Sequence, residues 1–258
     1  MDRTELLEPE KQLQFAINHP DLEVIAGSNL YGTSNENSDI DKRGFTISPP
    51  YYIFNLYNPD GKLYNFETHD TNNGVDINLH SFKKFLKYSL KCNNNFIELL
   101  FAPEDKIVCS SKFGKEVINN RSKLISKKAY KPFKGFARSE FLKIVGDKTR
   151  DLGEKRKKQI KDFGYAVKNA YHSIRIMYQG AELLRDGYIT FPRPEKDFLL
   201  EIREGNLSLD EFRDLYHSTT SDLDKAFEDS PLPEKPNYEF ANSLIKESIT
   251  IAKERYAS

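Results

Sequence analysis

The sequence predicts an α/β front followed by a helical back, and three observations carry that reading. Up to about residue 110, short apolar runs alternate with turn-rich polar stretches; beyond it the apolar residues fall mainly at helical spacing; and the change comes at Cys109 to Phe113. A chain of 258 residues can bury a core in each part without disulfides or metals. We therefore expect two domains, residues 1–110 and 111–258, with an α+β fold overall.

In the front part, Leu22 to Ala26 reads as a buried strand stopped by Gly27 and Ser28, and Ile40 to Ile47 as a second strand ended by Pro49 and Pro50. A short polar element lies between them. After an Asn- and Asp-rich segment, Asn55 to Asn73, Val75 to Leu79 alternates as a third strand. It leads into a helix with Phe82, Phe85, Leu86 and Leu90 on one face. In the back part, Lys128 to Val145 carries Phe133, Phe136, Ala137 and Phe141 at helical spacing. A long helix from Phe163 to Leu184 follows, with one apolar stripe and Gly187 as its C-cap. Ser208 and Glu211 form a capping-box signature that opens a helix running toward Phe227, and Pro231, Pro233 and Pro236 separate it from a final helix, Tyr238 to Glu254.

Composition excludes several classes. A hydrophobic fraction of 38% with 12% aromatics argues against global disorder. Lys plus Arg equals Asp plus Glu at 39 each, so the overall charge neither favours nor excludes a polyanionic partner. Cys92 and Cys109 are too few for a disulfide framework or a zinc site and read as thiols of a reducing compartment. Met1 to Gln14 is charged, and no stretch approaches the ~18 apolar residues that span a bilayer, so we expect a soluble cytoplasmic protein without a membrane partner.

The segment that carries chemistry runs from Ala26 to Thr33 and on to Ser38, Asp39, Ile40 and Asp41, immediately after the first strand. A strand ending in Gly-Ser and turning into a short helix presents unpaired backbone N–H groups, which stabilise a phosphate. Gly27 lacks a Cβ, so a triphosphate can approach the backbone, and Ser28 can add its hydroxyl. Side chains alternate along a strand, so Asp39 and Asp41 point to one face while Ile40 points into the core. Two adjacent carboxylates repel unless a cation neutralises them, and the hard oxygen donors suit a divalent ion, magnesium by default and manganese as the alternative. Two such ions can serve an in-line displacement at phosphorus. Asp76, flanked by apolar residues on the third strand, is the candidate for the third carboxylate; Glu67 and Asp70 are the alternatives.

These residues resemble the polymerase-beta-type nucleotidyltransferase signature, Gly-Ser followed by an Asp-x-Asp strand and a later carboxylate. Gly27 to Thr33, Ser38 to Gly44, Leu79 to Phe85 and Phe96 to Phe101 resemble more closely the RlaP family, nucleotidyltransferases of an RNA-repair pathway. Tyr171 to Arg175 and Glu182 to Gly187 extend that similarity to about Gly187, and residues beyond Arg193 add nothing to it. The resemblance implies a mixed sheet with flanking helices followed by an α-helical domain. It also implies metal binding by Asp39, Asp41 and Asp76, triphosphate contact by Gly27 and Ser28, and transfer of a nucleoside monophosphate from an NTP to an RNA or tRNA end. The same carboxylates would serve a hydroxyl on a protein or small molecule, and a non-catalytic nucleotide- or RNA-binding module is the reading from another class.

On the long helix, Lys168, His172, Arg175, Gln179 and Glu182 recur at three- and four-residue steps as a polar stripe. It reads either as a cleft wall, with Lys168, His172 and Arg175 on nucleotide phosphates, or as a solvated flank. Arg138 and Lys143 are further candidates of the same kind. Lys143 to Lys161 holds eight Lys or Arg against three acids, net +5, and reads either as an RNA-backbone contact or as a solvated loop.

Overall fold

The computed structural model describes residues 9–36, 38–54, 65–70, 74–145 and 160–256. A five-stranded mixed sheet forms the front: β1 (Leu22–Ile25), β2 (Ile40–Thr46), β3 (Asn65–Asp70), β4 (Val75–Ser81) and β5 (Ile107–Ser110), in the order β3-β4-β2-β1-β5. β2 and β4 run parallel, and the other neighbouring pairs are antiparallel. Its helices are α1 (Pro9–Asn18), α2 (Gly27–Tyr31), α3 (Pro50–Phe54), α4 (Phe82–Ser89), α5 (Asn94–Ile97) and α6 (Lys112–Asn119). The back is helical: α7 (Tyr130–Val145), α8 (Val167–Asp186), α9 (Lys196–Glu204), α10 (Leu209–Glu228) and α11 (Tyr238–Tyr256).

The three expected strands are present, and two more join them. β5 is a short edge strand on β1, and its residues are half-buried or exposed, so it lacks the apolar alternation that marks a strand in sequence. β3 pairs antiparallel with β4 at the opposite edge, inside the segment expected to separate the strands. The side chains of Glu67 and Asp70 lie outside the described residues, as does the basic run from 146 to 159.

α4 buries Phe82, Phe85 and Leu86 against the sheet, with Phe45 of β2 packed on Phe85 at 4.6 Å and on Phe82 at 5.1 Å between ring centroids. Ser81 caps the helix by accepting from the Lys84 N–H at 3.3 Å. The apolar core continues without interruption from these residues into Phe133, Ile174, Leu184, Phe212 and Leu223 of the back.

The long helix starts later than its apolar stripe suggests. Gly164, at φ +81°, interrupts the chain between Phe163 and Val167, and Phe163 is 43% exposed rather than part of the stripe. From Val167 onward, fourteen of the twenty residues of α8 are buried, which makes it a central helix packed on several sides rather than a one-faced one. Gly187 does close it, in the left-handed conformation, with its N–H bonded to Leu183 O. The capping box at Ser208 and Glu211 is complete in both directions.

α11 is tied to the sheet by a buried ion pair. Asp21, fully buried just before β1, receives Arg255 Nη1 at 3.0 Å and Nη2 at 2.7 Å, the Ile47 N–H at 2.7 Å and the Ser111 hydroxyl at 2.8 Å. The carboxylate thereby gathers strand, loop and terminal helix on one group. Cys92 and Cys109 are free thiols, and no described helix is long and apolar enough to cross a membrane. Burial pushes the thiol of Cys92 above its ordinary range.

Removing Arg255 leaves Asp21 buried with only neutral donors, so Arg255→Ala should destabilise the fold by about 3 kcal/mol. Urea denaturation measures this; a loss under about 0.5 kcal/mol, the size of an ordinary surface change, contradicts the anchoring role.

Candidate active site

The site grows from the pairing of β2 with β4. Their parallel register sets Ile40 against Val75 and Asp41 against Asp76. Neighbouring strands lie about 4.8 Å apart, so the two aspartates stand side by side. Ile40 N donates to Gly74 O and Ala26 N to Asp41 O, both at 2.8 Å, which fixes Asp41 between the end of β1 and β4. Asp39 lies just before β2, with its carbonyl accepting from Asn29 Nδ2 at 3.2 Å. Ile40 does not enter the core: it is 39% exposed, because β2 begins at the sheet's open end and becomes buried only from Gly44 onward.

Gly27 opens α2 at φ +62°, and a Cβ placed there would come within 2.1 Å of Asp41 Oδ2. The absence of a side chain is thus required by the carboxylate itself, in addition to any phosphate that approaches the turn.

Two cavities meet at Asp41, Arg43 and Asn95. The first, of about 460 Å³, brings Gly27, Ser28, Asp39 and Asp41 together with Lys168, His172 and Arg175 of α8. The second, of about 450 Å³, lies on the other side and contains Asp76. Asp41 therefore sits at the junction, with Asp39 and Asp76 facing it from different cavities. Among the described residues no three His, Cys, Asp or Glu side chains are closed up to hold an ion. The donors are nonetheless three hard oxygen groups around one junction, two of them already at adjacent-strand spacing, a set whose chemistry suits a divalent cation.

The polar stripe of α8 divides. Lys168, His172 and Arg175 reach the first cavity, whereas Gln179 is buried and accepts from Arg175 Nη1 at 2.9 Å. Glu182 turns away, accepting from the Thr190 N–H at 3.1 Å and pairing with Arg193. Arg138 is exposed, Lys143 pairs with buried Glu140, and neither lines a cavity described here.

Beneath the first cavity lies a charged cluster that sequence reasoning missed. Glu98 is 1% exposed and accepts from the Tyr31 hydroxyl on both oxygens, at 3.0 and 2.9 Å. Arg43 and Arg175 each bring Nη1 to 3.8 Å from it. The Arg175 guanidinium lies 3.8 Å from the centroid of the Tyr31 ring, a close cation–π contact. Burial raises the pKa of Glu98, and Arg175 and Arg43 oppose that rise. Burial likewise drives the Tyr31 phenol far above its ordinary value, so it stays a donor. Arg175 is 4% exposed, yet among the described residues its Nε has no hydrogen-bond partner, a buried donor left at the cavity floor. Arg203 also lines this cavity while donating to Thr33 O at 2.8 Å, and the Tyr171 hydroxyl meets Thr33 Oγ1 at 2.8 Å. These bonds clamp the Gly-Ser loop to the helical half.

The sequence model of RlaP, described as the RNA repair pathway DNA polymerase beta family, matches residues 3–247. This chain belongs to the RlaP family. The match continues beyond Arg193, into α10 and α11. The RlaP chain is also 38% identical over 120 residues to the uncharacterized protein MJ0002 of Methanocaldococcus jannaschii, a match that covers 45% of this chain and 46% of that one. It thus spans about half the length of that relative. A nucleotidyltransferase-like protein of Exiguobacterium sibiricum is similar at 9% identity and a TM-score of 0.30, over 83% of this chain and 71% of that structure.

Helix propensity alone favours alanine over glycine by about 1 kcal/mol, so Gly27→Ala would stabilise an unconstrained α2. The positive φ and the Asp41 contact reverse that sign, and a loss of about 1–3 kcal/mol is expected in chemical denaturation. A variant as stable as the parent chain would show that Asp41 is not held against the turn.

Proposed function

We propose that this RlaP-family chain transfers a nucleoside monophosphate from an NTP to an acceptor hydroxyl, at an RNA or tRNA end, with release of pyrophosphate. The observation that carries the proposal is the β2–β4 register, which stands Asp41 beside Asp76 at the meeting point of two cavities. A donor and an acceptor can approach such a junction from opposite sides.

In this reading the triphosphate occupies the first cavity. The amides and hydroxyl of Gly27 and Ser28 receive it from the sheet side, and Lys168 and His172 from α8. Arg175, Arg43 and Arg203 add positive charge, and the Arg175 Nε, which meets no partner among the described residues, supplies a further donor. Asp39, Asp41 and Asp76 would hold two divalent ions, magnesium with manganese as the alternative, which when bound neutralise the carboxylates and polarise the reacting oxygens. Asp76, on the acceptor side, takes the proton of the attacking hydroxyl. The new bond joins that oxygen to the α-phosphorus, the bond from the α-phosphorus to the bridging oxygen breaks, and pyrophosphate leaves along Lys168 and His172. Residues 1–110 act as the domain that carries the carboxylates, and residues 111–258 as the domain that closes the nucleotide side. The free thiols of Cys92 and Cys109 suit a reducing cytoplasmic setting.

Incubation with total RNA, magnesium and each α-labelled NTP in turn tests this. One RNA class should gain label, and Asp41→Asn or Asp76→Asn should each lower the rate by at least about 10²-fold with the fold retained. Label on protein would favour the protein-modifying reading. Nucleotide bound with no label transferred anywhere would overturn catalysis in favour of a binding module.

A further inference from the structure

We propose that the second cavity is a stacking site for the 3′ end of a single-stranded RNA, which delivers its terminal hydroxyl to Asp76. The inference rests on the transfer reading for which hydroxyl reacts, but the binding it describes is separate from that reading. The cavity lies past the carboxylates, away from α8, and its wall is built from three rings. Phe96, 8% exposed, is fixed in the middle of them. Tyr88 stacks on it at 4.9 Å between centroids and an interplanar angle of 16°, and His80 lies tilted against it at 4.6 Å and 31°. Tyr88 and His80 are only partly buried and both line the cavity. Lys84 and Lys91 hold their ammonium groups over the Tyr88 ring, 6.0 and 5.8 Å from its centroid.

Rings in series flanked by lysines are what a single-stranded polynucleotide requires: a flat apolar face for each base and a cation for the backbone. A peptide carrying a hydroxyl has no use for such a wall, and a base already stacked inside a duplex cannot reach it. Burial, with Lys84 and Arg43 nearby, lowers the pKa of His80 to about 4, so at neutral pH the imidazole is an uncharged ring suited to stacking. The geometry also sets a direction. Asp76, Asn78 and His80 alternate along one face of β4, and the four residue steps from Asp76 to His80 span about 13 Å. A short strand laid along β4 therefore reaches Asp76 with its last hydroxyl while its bases lie on the rings.

The basic run between residues 143 and 161 lacks interleaved aromatics, whereas the stretch from His80 to Phe96 has them. RNA recognition is thus assigned to this stretch, next to the reacting groups.

The test is fluorescence anisotropy of the full chain with 5′-fluorescein-labelled heptaadenylate and heptauridylate, each with a free 3′-hydroxyl, against a blunt RNA duplex of equal length, without NTP. Both single strands should bind more tightly than the duplex. Tyr88→Leu, which keeps an apolar side chain on Phe96, should weaken them about tenfold, while Tyr88→Phe restores binding. Lys84→Gln should weaken both and lower the salt slope by about one. Affinity for a non-hydrolysable NTP analogue should stay within twofold in all three variants. Single strands that bind Tyr88→Leu as tightly as the parent chain, or a preference for the duplex, overturn the proposal. If Tyr88→Leu loses oligonucleotide binding but no NTP gives turnover, the stacking site stands and the transfer reading fails. Turnover onto RNA or protein with oligonucleotide binding unaffected by Tyr88→Leu leaves transfer standing and removes the site.

Discussion

The parallel pairing of β2 with β4 is the constraint on which the rest of the site depends. It places Asp41 beside Asp76 on one face of the sheet, where two carboxylates repel each other unless a cation lies between them. The chain holds them there through backbone bonds on both sides and through Gly27, whose missing side chain leaves room for the Asp41 carboxylate. A one-residue slip of β4 would move Asp76 to the other face of the sheet. Leu79 of β4, 1% exposed on the opposite face, would leave the core in the same slip, which is what makes it costly.

The helical half is joined to this sheet by charge as well as by apolar contact. Glu98 collects Tyr31, Arg43 and Arg175 from three elements, and Asp21 collects Arg255 from the last helix, Ile47 just past β2 and Ser111 just before α6. Buried ion pairs add little to stability compared with apolar packing, but breaking one leaves a charge without its partner. Such groups therefore specify arrangement. Glu98 holds Arg43 and Arg175 at the floor of the first cavity, where their combined charge exceeds its own and leaves an excess suited to a polyphosphate. The Asp41 carboxylate is close enough to push the pKa of Glu98 upward, so the carboxylate site and the buried cluster share one electrostatic neighbourhood.

The legible parts of the sequence were those with local signals. Gly27 and Ser28 after an apolar run, the strand that carries Asp41, the capping box at Ser208 and the closing Gly187 each depend on neighbours within a few residues. β5 was not legible, since an edge strand with half-exposed residues has no period to detect, and β3 lies within the Asn- and Asp-rich segment expected to separate the strands. Nothing local marks Glu98 as the partner of Tyr31, which is 67 residues away. The helical stripe marks Arg175 as a phosphate ligand, but the buried network that aims it is a long-range feature. Phe163 misled because an apolar residue at helical spacing need not belong to the helix when a glycine at positive φ lies between.

The most direct measurement is a diffraction experiment on crystals of the chain soaked with manganese and a non-hydrolysable NTP analogue, read by anomalous scattering. Our account predicts anomalous density at the junction of Asp39, Asp41 and Asp76, with the phosphates along Gly27 and Ser28 and facing Lys168. Analogue bound elsewhere, or manganese density away from Asp41 and Asp76, would contradict it.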